Sequence, residues 1–245
     1  CETTDYEPLI VKKKLRELSE ENQQLRERIE RLEAGMTPTR PAAAAAPVET
    51  APREPAKPKV QIDQAALATE LENLGVYVVM DDAGRQISAL DFTDAMYGNE
   101  DLSRLADLPN LKKLVLNGSK SDFETFELVS EIPGLEILEI PISPATPEAL
   151  ACLSRLKKLR YLQLFRSDVT DEGFAELARI DSLQQIRCAQ TRISNVALKN
   201  IASLDSLTAL DLSDCNQITD DGLAYLTGLK RLKFLKVWGQ GITDR

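Results

Sequence analysis

The stretch from Leu207 to Leu223 reads LTALDLSDCNQITDDGL, and it holds the pattern that decides the fold. Its first half, L-x-x-L-x-L, alternates apolar and polar residues as a half-buried strand does. Its second half, ITDDGL, places a threonine and two aspartates where a helix can begin, because their oxygens can accept hydrogen bonds from free backbone amides. The first half recurs at a nearly constant interval, starting at Ile87, Leu111, Leu135, Leu159, Leu183, Leu207 and Leu232.

Each recurring unit continues with apolar residues spaced three apart, as on one face of a helix. Leu150, Leu153 and Leu156 are one such set. A strand, a turn and a helix of this size cannot bury their apolar faces alone, so the units must stack. The sequence therefore predicts an α/β solenoid over residues 87–245, with about seven repeats, the last incomplete. Its parallel strands should line a concave face and its helices the convex face.

The unit at residues 207–223 resembles the cysteine-containing leucine-rich repeat. Units with a Thr-Asp-x-Gly turn but no such cysteine, as at residues 169–173, resemble those of bacterial leucine-rich-repeat proteins abundant in planctomycetes. The resemblance spans about 160 residues and implies a leucine-rich-repeat solenoid, but it says little about a ligand. We expect deviant turns at residues 141–144 and 187–188. One equivalent position after the strand should hold small polar side chains that serve the loop backbone, namely Ser119, Ser143, Ser167, Thr191 and Cys215.

Residues 61–86 precede the repeats and are interpreted as an N-terminal cap that covers the first core edge. Residues 63–73 predict a helix, and two apolar runs around the turn at residues 81–84 predict a hairpin. The other end has no equivalent, because the chain stops at Arg245, where the next helix should start. We expect either that the sequence is truncated there or that a partner covers that edge.

Residues 9–36 show heptad spacing and predict a parallel two-stranded coiled coil, which we call the stem. Leucine at d positions with one asparagine at an a position favours that arrangement. The charged residues also favour a parallel dimer, because Glu21 of one chain would face Arg26 of the second and Arg28 would face Glu33 of the second. The alternative is a lone solvated helix, because so short a segment is marginal by itself. The predicted dimer contacts are Leu15, Leu18, Asn22, Leu25, Ile29 and Leu32.

Cys1 and the segments that follow it resemble the layout of mature bacterial lipoproteins. Residues 1–8 would be a tether, and residues 37–60, rich in proline and alanine, would be a semi-stiff linker. The resemblance implies a lipid on Cys1, and Glu2 in place of an aspartate implies the outer membrane. The expected location is therefore the bacterial cell envelope. An arbitrary boundary of the chain is the other interpretation of Cys1.

Composition excludes several classes of site in this chain of 245 residues. It has no histidine, which removes serine–histidine–acid triads and histidine-bearing metal sites. A net charge of −9 argues against a general affinity for nucleic acid. Cys152, Cys188 and Cys215 are interpreted as packing residues rather than a disulfide framework or a metal site. We predict no catalytic residue, no cofactor and no metal, and hence no enzyme.

The strand motif predicts which side chains face outward on the concave face, at its third, fifth and seventh positions. Two groups there are candidate partner-binding residues: an apolar patch and a trough walled by two aromatic pairs, with two cations beside it. The alternative for the patch is scattered exposed apolar residues, and Trp238 could instead pack on sequence beyond the last repeat. The candidates are Ile137, Pro141, Tyr161, Phe165, Arg187, Phe234, Lys236 and Trp238.

Two functional classes follow from these features. The first is a non-enzymatic binding module, a lipid-anchored dimeric envelope protein that presents its concave face to a protein or peptide. The second is a structural spacer or assembly subunit of an envelope complex, with an idle concave face. Acidic residues are numerous, but no pair stands out from helix-capping and solvation roles.

Overall fold

Eight short strands form one sheet in the computed structural model, which describes residues 62–243. The strands lie side by side in chain order. They are β1 (Tyr77–Met80), β2 (Ile87–Asp91), β3 (Lys113–Val115), β4 (Ile137–Glu139), β5 (Tyr161–Gln163), β6 (Gln185–Arg187), β7 (Ala209–Asp211) and β8 (Phe234–Lys236). Strands β1 and β2 pair antiparallel, and every later pair is parallel. The stem contacts, Cys1 and the linker lie outside the described residues.

Helices alternate with these strands. The α-helices are α1 (Gln64–Asn73), α2 (Asn99–Ser103), α3 (Phe123–Ser130), α4 (Pro147–Cys152), α5 (Asp171–Leu177), α6 (Asn195–Ile201) and α7 (Asp220–Leu223). Short 3-10 helices cover Arg104–Asp107, Gly118–Lys120, Leu153–Arg155 and Ala224–Gly228. Each repeat helix packs on the helices of neighbouring repeats. None of the helices within residues 62–243 is long and apolar enough to cross a membrane.

The parallel strands β2 to β8 are aligned in one register, so equivalent motif positions form straight rows across this part of the sheet. The central residue of each strand from β2 to β7 is almost fully buried and contributes to one continuous core with the helices. The flanking residues form the third row (Ala89, Lys113, Ile137, Tyr161, Gln185, Ala209, Phe234) and the fifth row (Asp91, Val115, Glu139, Gln163, Arg187, Asp211, Lys236). We call the face that carries these rows the open face. The predicted stacking of strand–turn–helix units is confirmed.

At the N-terminal end, α1 and the β1–β2 hairpin close the core. Asp63 caps α1 by accepting from the amides of Ala65 and Ala66, at 3.1 and 3.2 Å. Leu67 and Leu71 of α1 are buried in the same core as the repeats. This segment therefore lies where the sequence places an N-terminal cap.

The turn after each central strand has an unusual backbone that recurs with the repeat. Ile142, Arg166, Gln190 and Asp214 occupy equivalent positions in four successive repeats, and all have φ between +54° and +59°. Left-handed backbone is disfavoured for L-residues, and most strongly for a β-branched residue such as Ile142. The conformation is retained because each of the four amides donates to a carbonyl of the next repeat, at 2.8–3.0 Å. These bonds extend the alignment of the repeats beyond the strands to the seventh motif position.

The residue after each left-handed turn is a small buried polar side chain. Ser143 and Ser167 share a hydrogen bond of 3.1 Å between their hydroxyls, and the Thr191 hydroxyl donates to the carbonyl of Cys188 at 2.8 Å. Cys215 also donates to that carbonyl, at 3.2 Å. These four residues serve the loop backbone at the predicted position.

Ser119 departs from the prediction that it shares this position. It is exposed in the 3-10 helix Gly118–Lys120, and its hydroxyl donates to the side chain of Asn117 at 2.7 Å. The cause is local, since Asn117 caps the short helix and draws the chain into a tighter turn. Ser121 is the buried polar residue of that turn instead.

The aspartates of the Thr-Asp-x-Gly turns also depart from the expectation that they cap their own helices. Thr170 does cap α5, accepting from the amide of Gly173 at 3.4 Å. Asp171, however, reaches into the next repeat and accepts from the amide and hydroxyl of Ser194, at 2.8 and 2.6 Å. Asn195 holds Thr219 of the following repeat through an equivalent pair of bonds, at 3.0 and 2.9 Å. These side chains tie successive turns together, because the stacked repeats bring them closer to a neighbour than to their own helix end.

Candidate functional site

The open face carries all eight candidate partner-binding residues. Ile137, Pro141, Tyr161 and Phe165 are half-buried, whereas the other four are exposed. Phe234 and Trp238 keep 71% and 49% of their surface exposed. Exposed aromatic side chains indicate an interaction site when they form a contiguous patch, so their arrangement on the face matters more than the exposure of each.

Two adjoining pockets lie on the open face between β5 and β8. The first, of about 470 Å³, lies between Tyr161 and Phe234 of the third row. The second, of about 330 Å³, lies between Phe165 and Trp238. We call them the Tyr161/Phe234 pocket and the Phe165/Trp238 pocket. Six of the eight candidates line them, whereas Ile137 and Pro141 line neither.

A row of three charged side chains separates the two pockets and lines both. One carboxylate oxygen of Asp211 lies 3.7 Å from Nε of Arg187 and 3.8 Å from Nζ of Lys236. The other oxygen accepts from the amide and hydroxyl of Ser213, at 3.1 and 2.6 Å. Asp211 is buried, while both cations are about half exposed. We call this row the charged bar. It carries two positive charges and one negative charge.

The charged bar corrects the prediction that the two aromatic pairs wall a single trough. The sequence places the short side chains of Ala209, Ala189 and Ser213 between the aromatic walls, and the structure agrees on that point. The fifth row, however, lies between the third and seventh rows, and the long side chains of Arg187 and Lys236 meet over Asp211. The floor is therefore interrupted, and two pockets replace one trough.

The aromatic walls are held in place by polar contacts. Nη1 of Arg187 donates to the hydroxyl of Tyr161 at 3.4 Å, and this hydrogen bond raises the pKa of Arg187 above its ordinary value. The indole of Trp238 donates to Asp214 at 3.0 Å, and Nζ of Lys236 lies 4.4 Å from the centre of the indole ring. Such a cation–π contact is attractive. The side chains that would meet a ligand are thus already ordered.

Asp214 and Gln190 line the Phe165/Trp238 pocket, and sequence reasoning missed both. The side-chain amide of Gln190 donates to Asp214 at 3.2 Å, so both residues support Trp238. Both occupy the left-handed turn position, directly after the seventh motif residue. Their separation by one repeat was visible in the sequence, but nothing in the motif indicated that their side chains would turn toward the open face.

The predicted apolar patch consists of Ile137, Pro141, Tyr161 and Phe165. Tyr161 and Phe165 line the two pockets, whereas Ile137 and Pro141 lie beside them. The unexpected member of the patch is Ile142, which follows Pro141 and leaves 52% of its surface exposed in left-handed backbone. On the other side of Ile137 in the third row, Lys113 pairs with Glu139 at 2.9 Å, and this contact raises the pKa of Lys113. The cation and the carboxylate on this half of the face therefore neutralise one another.

A larger pocket of about 550 Å³ lies at the opposite ends of the strands, between the turns that carry Asp181, Asp205 and Arg231. A similar pocket of about 390 Å³ lies between the preceding turns. Because these clefts recur from one repeat to the next, we attribute them to the stacking of turns rather than to a dedicated site. The two pockets of the open face differ from these clefts, since aromatic side chains of the third and seventh rows line them.

The chemistry of the open face suits binding. Within residues 62–243, no group of three or more acidic or cysteine residues could hold a metal ion. Cys188 and Cys215 are buried under the sheet, where the Cys188 thiol donates to the carbonyl of Asp211 at 3.4 Å. The neighbouring Cys215 side chain and burial together raise the pKa of the Cys188 thiol. Both cysteines contribute to the core, as the sequence predicts. The two pockets offer a ligand aromatic surface, three cations (Arg187, Lys233 and Lys236), two carboxylates (Asp211 and Asp214) and side-chain amides.

Comparison with known proteins agrees with the fold. A family model described as leucine rich repeat matches residues 155–178 and 204–226. Among solved structures, the chain is similar to an internalin, InlF, from Listeria monocytogenes, with 17% identity and a TM-score of 0.34 over 59% of this chain. The match spans about half of that chain, 53% of its length. No curated protein matches. The family model and the stacked strand–turn–helix units together confirm the predicted leucine-rich-repeat type of solenoid. Solenoids of this kind use their concave surfaces for binding.

Proposed function

We propose that this protein is a non-enzymatic binding module that captures an extended segment of a partner protein on its open face, between β5 and β8. The observation that carries the proposal is the pair of aromatic-walled pockets on either side of the charged bar. Aromatic residues and arginine supply most of the binding energy in protein interfaces. Here four aromatic residues and one arginine line adjoining pockets.

The ordering of these side chains supports binding rather than an idle surface. Immobilising a rotamer-rich side chain on association costs roughly 0.5–1.5 kcal/mol. Nη1 of Arg187 donates to the Tyr161 hydroxyl at 3.4 Å and the Trp238 indole donates to Asp214 at 3.0 Å, so part of this cost is met during folding.

The lipid anchor, the dimer and the envelope location complete the proposal and rest on the sequence alone. A lipid on Cys1 would hold the module at a membrane, and a parallel stem would present two open faces to one partner. Two linked binding faces raise the effective concentration for the second contact. The intact mass of protein purified from native membranes tests the anchor, because a diacylglyceryl-sized addition on Cys1 is expected and an unmodified mass would contradict it.

Binding on the open face can be tested with a defined probe, a phage library of random nine-residue peptides selected against the full-length chain. The enriched peptides should bind the Phe165→Ala and Trp238→Ala variants more weakly than the original chain, by ~1–3 kcal/mol of binding free energy. Tyr225→Ala is the matched control, because Tyr225 is an exposed aromatic residue in the 3-10 helix Ala224–Gly228, away from the open face. Melting temperatures of all variants should stay close to that of the original chain.

Two results would overturn the proposal. One is a selection that enriches no peptide, and the other is a set of peptides that bind Phe165→Ala and Trp238→Ala as well as the original chain. If the full chain instead self-associates in sedimentation experiments and Trp238→Ala abolishes that association, the open face is an assembly surface. The alternative of an assembly subunit would then replace the binding module.

A further inference from the structure

We infer that the open face recognises an extended partner segment with the pattern apolar–x–acidic–x–apolar, in which the acidic side chain meets the charged bar. This inference rests on the proposed function and names the chemistry of the ligand. The two apolar side chains would enter the Tyr161/Phe234 pocket and the Phe165/Trp238 pocket.

The spacing of the rows sets this pattern. The third, fifth and seventh motif residues lie two residues apart along each strand, which corresponds to about 6.6 Å per step. An extended segment that lies along β6 and β7 also repeats its side-chain direction every two residues, at the same rise. Side chains i, i+2 and i+4 of the segment therefore fall over the three rows in turn, with i+2 over the charged bar.

The width between the walls agrees with one such segment. Tyr161 and Phe234 stand on strands three intervals apart, or about 14 Å at ~4.8 Å per interval. Neighbouring extended segments need about 4.8 Å in this direction, so one segment fits between the walls. Ala209 lines the Tyr161/Phe234 pocket and Ala189 lines the Phe165/Trp238 pocket. Their short side chains leave room in each pocket for one apolar side chain of the ligand.

The charge of the bar selects an acidic side chain for the middle position. Asp211 shares a single oxygen between Arg187 and Lys236, at 3.7 and 3.8 Å, distances longer than those of good hydrogen bonds. A guanidinium has five N–H donors and an ammonium three, so both cations keep donors for a ligand. Lys233 lines the Tyr161/Phe234 pocket and adds a further positive charge. A ligand carboxylate over the bar would satisfy these donors.

The other half of the open face lacks this combination. There the cation of the third row, Lys113, is paired directly with Glu139 at 2.9 Å. The fifth-row residue beside it, Val115, is buried and apolar. Recognition of an acidic residue is therefore specific to the end of the face between β5 and β8. Because the pattern reads the same in both directions, a parallel and an antiparallel segment would satisfy it equally.

Four synthetic peptides test the inference against the full-length chain, with fluorescence anisotropy as the readout. The reference peptide is GSFSESFSG, and two variants replace its glutamate by glutamine or by lysine. The fourth, GSFESSFSG, moves the glutamate by one residue, so that it points away when the phenylalanines are seated. We expect the reference peptide to bind about 10-fold more tightly than the glutamine peptide, a charge-assisted hydrogen bond being lost. The lysine peptide should bind still more weakly, and the shifted peptide should bind no better than the glutamine peptide.

Variants of the chain separate this inference from the proposed function. The double variant Arg187→Gln, Lys236→Gln should abolish the preference for glutamate over glutamine, whereas Arg187→Lys, Lys236→Arg should retain it. Phe165→Ala should lower the affinity for all four peptides by a similar factor. If glutamate and glutamine peptides bind equally, or if none of the four binds, the inference fails. The proposed function would still stand if library peptides of another pattern depend on Phe165 and Trp238, and would fall with the inference if none do.

Discussion

The indole N–H of Trp238 donates to a carboxylate oxygen of Asp214 across 3.0 Å, from one repeat to the next. The same two residues are joined a second time, because the amide of Asp214 donates to the carbonyl of Trp238 at 2.9 Å. The left-handed backbone of Asp214, with φ of +59°, allows both bonds at once. Trp238 is therefore fixed to the preceding turn, even though half of its surface is exposed.

Asp214→Asn should loosen this contact without straining the turn, because asparagine tolerates left-handed backbone and keeps an acceptor oxygen. Hydrogen bonds to charged acceptors are about twice as strong as neutral ones. Trp238 is the only tryptophan, so fluorescence reports on it directly. We expect stronger quenching by acrylamide and a loss of peptide affinity smaller than that of Trp238→Ala. Unchanged quenching would show that the carboxylate does not hold the indole.

Thr191→Val should lower the free energy of unfolding by about 1 kcal/mol, because it removes a buried hydroxyl that donates to the carbonyl of Cys188 at 2.8 Å. The cost stays near that value because Cys215 also donates to the carbonyl, at 3.2 Å, and leaves it partly satisfied. Thr191→Ser keeps the hydroxyl and is the matched control. Urea denaturation measures the difference, and equal stability of Thr191→Val and the original chain would contradict the hydrogen-bonding role.

Ile142→Asn should raise the free energy of unfolding by roughly 1 kcal/mol, since it relieves left-handed backbone at a β-branched residue. The side chain is 52% exposed, so little packing is lost. Ile142→Val keeps the branching and should bring no gain. A stability of Ile142→Asn below that of Ile142→Val would mean that the isoleucine side chain packs more strongly than its backbone is strained.

Asp122 should make α3 sensitive to acid. Its carboxylate accepts from the amide of Thr125 at 2.9 Å, and this backbone hydrogen bond lowers the pKa of Asp122 in the folded protein. Because the pKa is lower in the folded protein, the cap contributes its full share of the free energy of unfolding at pH values above the unfolded-state pKa of Asp122, near 3.9. This share is lost as the pH falls through the pKa of the folded state. Asp122→Ala should therefore cost about 1 kcal/mol at pH 7 and progressively less below pH 4. Urea denaturation at pH 7 and pH 3 checks this, and a constant difference would contradict the role of the ionised carboxylate.

The stem gives a prediction that depends on the sequence alone. Asn22 at an a position should pair with its counterpart in a parallel dimer and fix the number of strands, at some cost in stability. Asn22→Leu should therefore raise the melting temperature of the stem and permit higher oligomers. Light scattering of the full chain measures the state, and a monomer at micromolar concentration would refute the coiled coil.

The sequence by itself determined the solenoid and the placing of its rows. A nearly constant period with L-x-x-L-x-L at its start fixes which side chains enter the core and which lie on the open face, because strand side chains alternate. Tyr161, Phe165, Phe234 and Trp238 lie on the face that this alternation assigns to them. Their roles in binding stay predictions.

Only the tertiary structure decided how these rows meet. Periodicity gives the direction in which a side chain leaves the sheet, but it does not say where a long, flexible side chain ends. Arg187 and Lys236 converge on Asp211 from two neighbouring strands and divide the trough in two. Asp171 bonds to Ser194 of the next repeat rather than to its own helix, and Asp214 holds Trp238. Each of these contacts joins residues of different repeats, so it exists only after the repeats have stacked.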